Sequence, residues 1–152
     1  MYAAAAQGIG RVAIGNPEGY HPGTTTAYAR PNASAVSRDK IYLVGSWAAT
    51  DEYVRSAENA SIMVRFRAGG ANTVLDGPVG TCVEALLDDE PWPDDVAAVD
   101  VDVAEDGVAC VTLDGPRSYD LYAGPFEEHT LELRVPANVT LWTFAFSYVG
   151  TG

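Results

Sequence analysis

The run Thr130-Leu131-Glu132-Leu133-Arg134-Val135, followed after a Pro136-Ala137-Asn138 break by the run from Val139 to Val149, decides the fold class. Leu131, Leu133 and Val135 fall on one face of an extended chain and Thr130, Glu132 and Arg134 on the other, because side chains alternate with a period of two in a strand. The second face reads as wet. In the next run Trp142, Phe144, Phe146 and Tyr148 share a face opposite Thr143, Ala145 and Ser147. That aromatic stripe is long enough to line a core.

Working back from this pair, short β-rich runs recur between Gly, Pro and Asp breaks. They are Ile41 to Trp47, Ser61 to Ala68, Asn72 to Leu75, Thr81 to Leu87, Val108 to Leu113 and Arg117 to Tyr122. Ile62, Val64 and Phe66 alternate with Met63, Arg65 and Arg67, which places two guanidinium groups on one exposed strand face. One short helix is expected at Asp51 to Glu58, with Thr50 as its N-cap and Asp51 and Glu52 in its first turn. A further short strand is expected at Val96 to Val103. Eight runs with no βαβ alternation point to an all-β, jelly-roll-like two-sheet antiparallel sandwich spanning 41–152. Residues 1–40 are rich in Gly, Ala, Thr and Pro and lack a sustained period, so they read as a lead-in or linker segment.

A chain of 152 residues is one domain's length and can bury a sizeable core. Its 47% hydrophobic content excludes intrinsic disorder. Twenty-one acidic residues against nine basic ones give a net charge of -12, which repels phosphate backbones and excludes nucleic acid as a partner. No stretch approaches a membrane span, and Met1 to Ala6 lacks the basic start and apolar run of a signal peptide. If the chain works outside the cytoplasm, its export signal is expected on a longer parent chain.

Cys82 and Cys110 cannot form a CxxC pair, and two cysteines cannot build a cysteine zinc site. Both lie in expected strands, where they either form a disulfide or act as small buried apolar groups. His21 and His129 stand near no Ser, Cys or paired carboxylate in a recognisable catalytic spacing, so no activity is expected of this chain. The acidic insert from Asp88 to Asp106 offers oxygens to Ca2+, but Asp100 and Asp102 followed by Ala104 do not fit the EF-hand pattern. Solvated loop charge is the reading the spacing favours, and no cofactor is expected.

Within that insert Trp92 stands between Pro91 and Pro93, which stiffen a turn and would present the ring to solvent. An exposed indole beside Asp94 and Asp95 has the chemistry to hold a sugar, with the ring on the C–H face and carboxylates on the hydroxyls. Arg117 and Tyr119 could add a hydrogen-bonding fork and a second ring. The competing reading folds Trp92 over a sheet edge as a plug.

The order of several weak motifs resembles the C-terminal domain that follows the thioredoxin-like domain in DipZ-type thiol–disulfide proteins. They are Ile41 to Trp47 with Asp51-Glu52-Tyr53, Ser61 to Ala68 ending in Phe66-Arg67-Ala68, and Val83 to Asp89, where Asp89 replaces the usual Gly. Arg117 to Leu121, Glu128-His129-Thr130-Leu131-Glu132-Leu133 and the aromatic strand at Trp142 to Phe146 complete the set. In the lead-in, Gly10-Arg11 and Pro17-Glu18-Gly19 resemble the segment that joins the two domains. The resemblance implies a jelly-roll sandwich similar to carbohydrate-binding modules, located in the periplasm or cell envelope beside a thioredoxin-like domain in cis or trans. It implies a cell-envelope glycan as a ligand. Redox catalysis cannot be carried over, because the thioredoxin-like domain and its CxxC are not in this chain. The alternative is a structural or protein-interaction domain with no ligand of its own, in which Trp47, Tyr119 and His129 are packing residues.

Overall fold

The computed structural model describes residues 8–9 and 12–148. The all-β, antiparallel expectation holds. Two short strands, β1 (Gly8–Ile9) and β2 (Val12–Ala13), pair with each other. The other ten are β3 (Thr25–Tyr28), β4 (Ile41–Ala49), β5 (Val54–Ser56), β6 (Ala60–Asp76), β7 (Cys82–Leu87), β8 (Glu90–Pro91), β9 (Val101–Val103), β10 (Ala109–Thr112), β11 (Arg117–Val135) and β12 (Thr140–Ser147). They form one sheet in the order β3-β4-β5-β12-β6-β11-β7-β10-β9, with β8 on β7 and a further pairing of β4 with β6. The pairings β4–β5, β5–β12, β12–β6 and β6–β4 close a circuit, so the sheet folds back on itself around a shared core.

Two strands are far longer than their sequence runs suggested. The expected runs Ser61 to Ala68 and Asn72 to Leu75 are one strand, β6, of 17 residues, and Arg117 to Tyr122 joins Thr130 to Val135 in β11, of 19 residues. The glycines and the proline read as breaks are bends. On β6 the core residues are Ile62, Val64, Phe66 and Ala68, then Ala71, Thr73 and Leu75, so the inward parity switches across Gly69-Gly70. On β11 the register slips between Ala123 and Glu127, where Gly124-Pro125-Phe126 bulges away from β6. Pro125 has no N–H to give the ladder, which suits it to a bulge. Gly124 is required there because a Cβ would lie 2.7 Å from Val96 Cγ1.

The expected helix at Asp51 to Glu58 is absent. Thr50 Oγ1 does accept the backbone N–H groups of Glu52 and Tyr53, at 3.1 Å each, but the chain then extends into β5 instead of coiling. Val54 and Ser56 face inward while β5 bridges β4 and β12, and the burial this gives outweighs a short isolated helix. The aromatic stripe of β12 is also broken. A register shift between Leu141 and Thr143 sends Leu141 and Phe144 into the core, leaves Trp142 and Phe146 half-buried and leaves Tyr148 outside. Val96 to Val103 is partly strand, with a 3-10 turn at Asp94–Val96 and β9 after it.

The lead-in, where it is described, packs on the sheet. Thr25–Tyr28 pairs with Gly45–Ala48 of β4, and Tyr20 and Tyr28 join the main core. Asn16 acts as a surrogate strand residue, because its side-chain amide donates to Leu43 O at 2.9 Å and accepts from Leu43 N at 2.8 Å. From Arg30 to Val36 the chain crosses the outside of the sheet, and Val36 forms a second small cluster with Tyr42 and Met63. Gly10-Arg11, singled out in the lead-in, lies outside the described residues.

Candidate functional site

Of the residues expected to hold a glycan, Trp92 and Tyr119 are buried while Asp94, Asp95 and Arg117 are exposed. Trp92 is 1% exposed, sits in the main core and donates its indole N–H to Val96 O at 3.2 Å. The flanking prolines do stiffen a turn, but β8 pairs with β7 at Leu86 and Leu87, and that pairing rolls the ring inward. Asp94 and Asp95 remain on the surface in the 3-10 turn above it.

Arg117 and Tyr119 come together as anticipated, but for a structural purpose. The guanidinium lies 3.9 Å from the centre of the Tyr119 ring. It donates to Asp100 Oδ1 at 2.9 Å and to Asp114 Oδ1 at 2.8 Å. The hydrogen bonds that Arg117 donates to these two carboxylates hold its pKa up, and the same bond to Asp114 holds that carboxyl below its ordinary range. Tyr119 is fully buried, its hydroxyl donating to Gly115 O at 2.6 Å and accepting from Asp114 N at 3.0 Å. Burial is the main cause of its raised pKa. Asp100 also accepts from Asp120 N at 2.7 Å, so one acid of the insert ties the insert to β11.

Among the described residues no group of three or more His, Cys, Asp or Glu side chains is placed to hold a metal ion. Asp88 is engaged elsewhere. Its Oδ2 lies 2.6 Å from His129 Nδ1 and its Oδ1 accepts from Thr130 N at 2.9 Å, while His129 Nε2 lies 3.1 Å from Glu127 Oε2. Both imidazole nitrogens face carboxylates. His129 packs tilted against Tyr122 and Phe66, so it clamps the Asp88 turn to the bulge of β11.

The surface that sequence reasoning missed is the outer face of the sheet. The register places Asp102, Cys110, Glu84, Arg134, Ser61 and Val44 in a single row across β9, β10, β7, β11, β6 and β4. Beneath them the alternate residues Val101, Val111, Ala85, Leu133, Ile62 and Leu43 are buried in the core. A cavity of about 570 Å³ opens on this row, walled by Val44, Ser61, Glu84, Arg134, Cys82 and Pro136. The neighbouring row is covered. Glu132, expected on a wet face, has a side chain only 5% exposed because the Arg30 to Val36 crossing lies over it. Arg30 grips it at two points, Nη1 to Oε1 at 3.2 Å and Nη2 to Oε2 at 2.8 Å. Arg134 links Glu132, at 3.4 Å, to Glu84, at 3.8 Å, so the ionic chain runs from the covered row to the open one. Burial alone pushes the Glu132 carboxyl up, but hydrogen bonds from Arg30 and Ser61 and the charges of Arg30 and Arg134 outweigh it and hold the group low.

Cys82 and Cys110 are joined as a disulfide between β7 and β10. The pairing is diagonal: Cys82 stands opposite Thr112 and Cys110 opposite Glu84.

The family model described as the thioredoxin-like C-terminal domain matches residues 8–147. The chain belongs to that family. No curated protein matches it. The match spans the Arg30 to Val36 crossing, the whole ten-stranded sheet and the acidic insert.

Proposed function

We propose that this thioredoxin-like C-terminal domain is the non-catalytic accessory domain of an extracytoplasmic thioredoxin-like protein, and that it works by protein interaction through its open outer face. The observation that carries this reading is the match of residues 8–147 to the family described as the thioredoxin-like C-terminal domain. Two features support it. Trp92, the ring that would have been a sugar platform, is inside the core, and the open row offers the Glu84 carboxylate and the Arg134 guanidinium bordered by apolar Val44 and Pro136. Such mixed, shallow faces suit protein partners. The disulfide supports an oxidising compartment. Titration of the chain with a thioredoxin-like domain of the same family, followed by calorimetry, tests the reading. Saturable binding weakened by Arg134→Glu is the expected result.

A glycan reading retains one foothold, at a different place from Trp92. Phe126 and Tyr148 are 41% and 82% exposed and stack at 5.3 Å, with Arg67 set 5.0 Å from the Phe126 ring centre. Stacked exposed rings beside a guanidinium are able to receive a pyranose face. A polysaccharide pull-down run beside Tyr148→Ala tests it, and binding lost in the variant is the result that would favour a carbohydrate module.

A further inference from the structure

We propose that the Cys82–Cys110 disulfide is an exchange site, opened at Cys82 by the thiolate of a protein dithiol, and not a buried staple. This goes beyond the reading above and does not require it, because any protein dithiol of suitable reach would serve.

Four observations carry the inference. Cys82 is exposed and Cys110 is half-buried, so the two sulfurs differ in access. The cavity of about 570 Å³ on the outer face is walled by Cys82 and not by Cys110, so a nucleophile seated there meets Cys82 first. Exposed disulfides are the labile and exchangeable ones, whereas buried ones resist reduction. Finally, the bond is redundant for holding the two strands. β7 and β10 are already paired from Cys82↔Thr112 through Val83↔Val111 to Glu84↔Cys110, and Val83 and Val111 are fully buried beneath.

The step balances as a two-electron exchange. The partner's thiolate attacks Cys82 Sγ, a mixed disulfide forms, and the Cys82–Cys110 bond breaks with its electron pair going to Cys110 Sγ. Cys110 then takes a proton from solvent. A protonated Cys110 re-attacks slowly, which gives the partner's second thiol time to attack its own sulfur in the mixed disulfide. That second attack releases Cys82 as a thiolate and leaves the partner oxidised to a disulfide. The reductant is therefore a protein dithiol, and this domain is its two-electron acceptor.

The test uses the oxidised chain and, as probe, a thioredoxin whose second active-site cysteine is replaced by serine, so that any mixed disulfide is trapped. The expected result is a one-to-one adduct on the folded chain, mapped by peptide mass to Cys82 and absent in Cys82→Ala. In parallel, dithiothreitol should open the bond in the folded chain within about tenfold of its rate in the urea-unfolded chain, as an exposed disulfide requires. The far-ultraviolet circular dichroism should remain unchanged after opening. An adduct formed only in urea, an adduct mapped to Cys110, or protection of the folded bond by about a thousandfold or more would overturn the proposal.

Discussion

Arg30, from the crossing strap, holds the buried carboxylate of Glu132 on β11 at two points, 3.2 and 2.8 Å, across 102 positions of sequence. The pair fixes the strap over one row of the outer face and leaves the next row open. Because Arg30 itself is half in solvent, its charge is partly screened and the pair is weaker than a fully buried one.

Arg30→Ala is therefore expected to cost about 1–2 kcal/mol, mostly by leaving Glu132 buried with Arg134 as its remaining ionic partner. Urea melts of Arg30→Ala, Glu132→Gln and the double variant check this. The double variant should cost less than the sum of the two singles.

The same carboxylate gives a pH dependence of definite sign. Its pKa is depressed in the folded chain, so its contribution is fully present above the unfolded carboxyl's ordinary value of about 4.3. That contribution is lost as pH falls through the lowered folded value. Acid unfolding followed by tryptophan fluorescence should be shallower in Glu132→Gln than in the parent chain over this range.

Tyr20 acts at the opposite end of the scale. Burial, followed by the charge of Asp51 and the proximity of Tyr28, raises its pKa to about 12, and its hydroxyl donates to Thr50 O. A raised value on an acid means that stability present below pH 10 is lost as pH rises toward 12. Ultraviolet titration should show one tyrosine ionising near pH 12, and Tyr20→Phe should remove it.

Asp100 tests the role of the acidic insert. Asp100→Ala removes the acceptor for both Arg117 and Asp120 N, and should cost about 1–3 kcal/mol. Hydrogen exchange should accelerate at the Ala98 and Asp120 amides, which bond across the insert to β11, while the β6–β11 ladder keeps its protection.

Trp92 separates packing from binding. Trp92→Ala should lower stability by about 3–5 kcal/mol through the cavity it leaves, and should not alter the affinity of any ligand that the folded variant still binds. In the parent chain Trp47 and Trp92 should resist acrylamide quenching.

Alternation carried most of what was legible in the sequence. Leu131, Leu133 and Val135, and Ile62, Val64 and Phe66, face the core as their period requires. What alternation could not show is where a strand bends without ending: Gly69-Gly70 and Gly124-Pro125 look like loop signals, and only the partner strand reveals them as bends. Trp92 is buried for a related reason. Trp92 between prolines has the local signature of an exposed ring, but its orientation depends on β8 joining β7, a tertiary pairing of two residues. Glu132 was placed on a wet face by its own strand, and it is dry because a segment a hundred positions earlier crosses over it. Arg117 and Tyr119 were legible as neighbours, while the carboxylates that hold them, Asp100 and Asp114, lie on other segments of the chain.

The measurement that tests the account most directly is amide chemical-shift mapping of the labelled chain during titration with a thioredoxin-like domain of the same family. The account predicts saturable shifts concentrated on the open row, at Val44, Ser61, Glu84 and Arg134, with Phe126 and Tyr148 unmoved. No shift with that domain, together with shifts at Phe126 and Tyr148 on adding a polysaccharide, would contradict it.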